Sequence, residues 1–249
     1  MKVFCKYDGQ FDDFLKNVVK YVIDVLGNEL CIDDLEEIEL IDKKELSIET
    51  DGRTLANGKK IILTSRLYTQ LPEYDISKLE NSVDFKLIVT TLYHELGHVS
   101  DMKTMPNIYA ATQNSNNEKQ MLSSYFWVEY LAEKRSTSIG LVDYSNYCNN
   151  FVKRKWNAYK LNFETYSEDN FFYLCKTLSY YMARTIKSNT RKTYNAKMVN
   201  SLLNEFVIAI GQELIYLEHK LPFDNVETLD NLCGILHKYY LKFKTQYAI

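Results

Sequence analysis

The stretch TLYHELGHVSD, Thr91 to Asp101, places His94 and His98 four residues apart, with Glu95 directly after the first histidine. In a helix, residues four apart are offset by about 40° and lie one turn above each other. Both imidazoles then leave the same face and can share one metal ion. Glu95 points beside such an ion rather than at it, which is the placement of a general base for a metal-activated water. The competing reading is an ordinary helix that carries two packed or solvent-exposed histidines.

The rest of the chain must position these groups. Phe85, Ile88, Leu92, Leu96 and Val99 recur at intervals of three and four. They form an apolar stripe that backs the helix against a core while the histidines face a cleft. Ser82 or Asp84 is the expected N-cap of this helix. A catalytic zinc takes three protein ligands and leaves a fourth position for water, so a third donor is needed. The segment FWVEYLAEK supplies Glu129 and Glu133, one turn apart on a long helix predicted over EKQMLSSYFWVEYLAEKRST. Glu129 is assigned as the ligand. Glu133 is assigned the supporting role of accepting the free ring N–H of His94 or His98. Glu118 and Asp101 are the other carboxylates considered and rank below Glu129. Glu118 opens its helix, where it complements the dipole, and Asp101 suits a helix end or a partner to a ligand.

Apolar positions from Phe11 to Leu26 predict a first amphipathic helix closed by Gly27-Asn28. Between Leu35 and Leu71 the pattern changes. EEIELID, ELSIET and KKIILTSRLY carry alternating and β-branched residues, with turn signals at Asp51-Gly52 and Asn57-Gly58. They predict a small, largely antiparallel or mixed sheet in which KKIILTSRLY offers an edge for an extended peptide. After the motif, DMKTMPNIYAATQNSNNEK reads as a surface loop. Beyond the long helix, further helices are expected over 145–161, 168–187, 194–218 and 224–243, with Pro222 at a boundary. The expected class is therefore α+β and mostly helical: a core over 1–140 carrying the sheet and the motif helix, and a helical subdomain over 141–249.

The chain has 249 residues, with 46% hydrophobic and 25% charged positions, enough to bury a real core. A net charge of −3, with both signs interspersed, argues against a nucleic-acid surface and for a protein or peptide partner. No apolar run approaches a signal peptide or a membrane span, so no membrane role and a cytoplasmic location are expected. Cys5, Cys31, Cys148, Cys175 and Cys233 are scattered and odd in number, which predicts reduced, mostly buried thiols. Oligomeric state is left open.

With His94, Glu95, His98, Glu129 and Glu133 in place, the chain resembles the gluzincin metalloproteases, the thermolysin-like zincins. HELGH itself looks like the pentapeptide of ImmA/IrrE-type peptidases, in which a turn and strand such as NGKKIILTSRL precede the active-site helix. The resemblance covers roughly residues 55–136. It implies a zincin-like fold, a Zn²⁺ cofactor and peptide hydrolysis, with Glu95 as the general base. The alternative from the binding class is a non-catalytic protein that keeps the zinc site and uses its helical C-terminal part to bind a partner. An oxyanion donor would come from outside the motif; His219, His237, Arg184, Tyr180 and Tyr181 are all of suitable type, and none is singled out.

Overall fold

A computed structural model describes residues 1–6, 9–45, 51–69, 71, 74–114, 116–144, 152–157, 168–186, 198 and 200–247. The fold is α+β and mostly helical, and it divides into two compact units. Residues 1–104 and 135–142 make the first; residues 105–134 and 143–249 make the second. The division is not the linear one at residue 140. The segment after the motif helix and most of the next helix group with the C-terminal helices, because Met105, Ile108, Phe126, Trp127 and Tyr130 are buried in the same apolar cluster as those helices.

In the first unit, strand β1 (Lys2–Cys5) leads into helix α1 (Asp12–Leu26), followed by β2 (Glu37–Ile41), β3 (Gly52–Leu55) and β4 (Lys60–Thr64). The sheet order is β1-β2-β4-β3. Both β1–β2 and β2–β4 pair in parallel, and only β3–β4 is antiparallel. The sheet is thus mixed, with parallel pairing in the majority. Parallel neighbours need a long crossover, and α1 supplies the one between β1 and β2; local turn signals could not announce it. β4, from KKIILTSRLY, is central rather than an edge. The described edges are β1 and β3. Of ELSIET, residues 46–50 lie outside the described residues. Asn57 and Gly58 do form the predicted β3–β4 turn, with φ of 55° and 85°, a region that favours Asn and Gly.

Helix α2 (Val83–Thr104) carries the HELGH motif. Ser82 Oγ accepts from the Phe85 amide at 3.1 Å, which makes Ser82 the N-cap. Phe85, Ile88, Leu92, Leu96 and Val99 are all buried, in one cluster with Leu15, Val18 and Val22 of α1 and Ile38 and Ile61 of the sheet. The apolar stripe read from spacing is therefore the face that anchors α2.

The second unit contains α3 (Pro106–Ala111), α4 (Glu118–Ser138), α5 (Glu168–Thr185), α6 (Ser201–Glu218) and α7 (Asp230–Tyr247). The last four residues of α4 count with the first unit. Of the expected helix over 145–161, residues 152–157 are described and helical; in that over 194–218, residues 194–197 and 199 lie outside the described residues. Phe171, Phe206 and Phe243 meet at ring-centroid distances of 5.6–6.3 Å, with Trp156 against Phe243 at 5.4 Å. Aromatic area buried in this way is the main apolar contribution to such a core. Among the described cysteines, Cys175 is buried, Cys5 and Cys233 are intermediate and Cys31 is exposed, so most are not buried as expected; Cys148 lies outside the described residues. Among the described residues, no helix is long and apolar enough to cross a membrane.

Candidate metal centre

His94 and His98 leave α2 on one face, as their spacing requires, and both are buried. Their Nε2 atoms lie 3.0 Å apart and their ring planes are nearly perpendicular, at 83°. At that separation one ring can donate to the other, and two buried imidazole nitrogens this close also suit a shared cation.

Glu95 is also buried, with β3 beside it. Thr54 Oγ1 donates to Glu95 Oε2 at 2.7 Å. Gly52, two residues earlier on the same face of β3, gives the carboxylate its room. A Cβ at that position would stand 2.8 Å from both Cγ and Oε1 of Glu95. Residues 46–50 before the Asp51-Gly52 turn signal lie outside the described residues; Gly52 opens β3, and its missing side chain is space for Glu95. Neither Thr54 nor Gly52 carries a local signal of this role, since the contact joins positions 41 and 43 residues apart in the chain.

Replacing Gly52 by Ala is expected to displace the Glu95 carboxylate without injuring the fold. The atoms in the way belong to a side chain that can turn aside, so the melting temperature should hold. Thermal melting of Gly52→Ala checks this; a fall of several degrees would mean that Glu95 cannot turn aside.

Glu129 and Glu133 are buried on α4. Tyr180 Oη donates to Glu129 Oε2 at 2.7 Å, and Arg184 Nε donates to Glu133 Oε1 at 2.5 Å. Burial, reinforced by the negative charge of Glu129 and Glu133, pushes the Tyr180 hydroxyl well above the usual tyrosine range, so it stays protonated and able to donate. Arg184 packs its guanidinium 4.1 Å from the Tyr144 ring centroid. Glu133 therefore has a cationic partner on α5 that the sequence reading did not name. Both Tyr180 and Arg184 stood there only as oxyanion candidates. Of the others, Tyr181 is buried, exposed His219 sets Nδ1 2.6 Å from the Ile215 carbonyl oxygen, and His237 stacks near Tyr240.

The two rival carboxylates are accounted for. Glu118 is exposed at the first residue of α4. Asp101 is buried and takes a two-pronged ion pair from Arg135, with Nη2–Oδ1 at 2.6 Å and Nη1–Oδ2 at 3.2 Å. Both of its oxygens are engaged by that guanidinium.

Among the described residues, one group of His, Cys, Asp and Glu side chains is arranged to hold a metal ion. It comprises His94, His98 and Glu129, each offering one ligand atom, and those atoms lie within 4.8 Å of one another. Two imidazole nitrogens and one carboxylate oxygen, all buried, form a donor set suited to zinc. Comparison of the chain with known protein families, with curated proteins and with solved structures finds no match. The functional reading therefore rests on the residues themselves.

Proposed function

We propose that the chain is a zinc-dependent metallopeptidase of the gluzincin kind, cutting peptide bonds within protein or peptide substrates. The observation that carries this reading is the grouping of His94, His98 and Glu129, with Glu95 next in sequence to the first of them. The two Nε2 atoms and a Glu129 oxygen would hold the ion. Zinc held there supplies Lewis acidity that makes water acidic near neutral pH and polarises a carbonyl.

The remaining steps belong to the protein. Glu95 accepts the proton of the attacking water through its carboxylate and returns it to the leaving amine nitrogen, as a general base and then a general acid. Thr54, by holding Oε2, fixes the plane of that carboxylate. β3 is an edge of the described sheet and lies beside Glu95. An extended substrate can add to that edge through backbone hydrogen bonds, a mode indifferent to side-chain identity. The edge predicted for this purpose was KKIILTSRLY; β3 takes its place.

Metal analysis tests the reading directly. Protein purified without chelator is expected to carry one zinc per chain, and to hydrolyse members of a peptide library until the metal is stripped. Absence of any hydrolysis by zinc-loaded protein would overturn the catalytic reading, and absence of bound zinc would overturn the site.

A further inference from the structure

The carboxylates of α4 are held by a second helix in a regular way. Glu129 and Glu133 are four residues apart, and so are their partners Tyr180 and Arg184 on α5. The two rungs run in the same sense along both helices, so each enforces the register of the other. Arg184 also sits 5.6 Å from the Tyr180 ring centroid and packs the phenol in place. The phenol hydroxyl is thus a fixed donor, aimed at one named oxygen of Glu129.

That arrangement has a consequence for a metal ion. A carboxylate can bind through one oxygen or through both, and a catalytic zinc needs its fourth position left for water. We propose that Tyr180 is a positioning residue: by donating to Oε2 of Glu129 it fixes the orientation of that carboxylate and holds it to one-oxygen binding of a metal ion, which would keep the coordination number low. The proposal rests on the metal-site reading above and adds to it the group that sets how the third ligand binds.

The test uses the full chain loaded with Co²⁺, whose visible absorption reports coordination number. Wild-type protein is expected to show the intense bands of a four-coordinate ion. In Tyr180→Phe the carboxylate is no longer held in that orientation and can bind through both oxygens, so the absorptivity falls severalfold, while the metal-free protein melts at the wild-type temperature. Arg184→Lys disturbs the neighbouring rung but leaves the phenol, so its spectrum should stay that of the wild type. An unchanged spectrum in Tyr180→Phe would overturn the proposal with the metal site intact. The same change in Arg184→Lys would also overturn it, by assigning the effect to helix packing. Failure of the wild-type chain to bind Co²⁺ would remove the metal site itself, a result distinct from both.

Discussion

Glu95→Gln is expected to lose about 10²–10⁴-fold in kcat/KM, the usual contribution of a positioned general base, while keeping one zinc per chain. The substitution is nearly isosteric, and the amide oxygen can still accept from Thr54, so the β3 contact survives. What disappears is the ability to take a proton from water. The three side chains proposed to hold the ion, His94, His98 and Glu129, are untouched. Peptide hydrolysis and metal content measured on the same preparation separate the possibilities. Undiminished hydrolysis would place the base elsewhere, and loss of zinc would make Glu95 a ligand instead.

The second large effect is on stability. Asp101→Ala should destabilise the protein by about 2–3 kcal/mol. Removing one partner of a buried pair typically costs about 3–5 kcal/mol, reduced here because Arg135 keeps 27% of its side chain exposed and can turn to water. For a chain of this size that corresponds to a fall of roughly 5–10 °C in melting temperature. The pair ties α2, one turn beyond His98, to the C-terminal turn of α4, so the loss is expected in the first unit. Zinc stoichiometry should remain at one per chain. A variant that melts as the wild type would reduce the pair to a solvated contact, and one that no longer binds zinc would restore Asp101 as a metal ligand.

The amino-acid sequence alone carried whatever depends on neighbours within one helix. The four-residue spacing of His94 and His98 determines that they share a face, and the stripe from Phe85 to Val99 determines which face of α2 is buried. The amphipathic α1 and the Asn57-Gly58 turn were legible for the same reason: period and dihedral preference act over a few residues. The mostly helical α+β class follows from these local signals. Assigning Glu129 from sequence needed one further premise, that a zinc site requires a third donor on a rigid element.

Only tertiary structure could decide what meets across the chain. The parallel pairing of β1 with β2 depends on the crossover through α1, and β2 pairs in parallel with β4, with β3 between them in sequence, so these pairs carry no hairpin signal and β1, a four-residue strand, went unread. Gly52 reads in the sequence as a turn signal, because glycine's freedom and glycine's smallness are indistinguishable there; Glu95, packed where a side chain would be, shows that smallness matters at this position. Thr54 on Glu95, Arg135 on Asp101, Tyr180 on Glu129 and Arg184 on Glu133 are contacts between residues more than thirty positions apart. A charged or hydroxyl side chain has many compatible partners, and folding selects among them by bringing whole helices and strands together. Residue type and spacing therefore determine which groups can do chemistry, while the packing of elements decides which neighbours hold them.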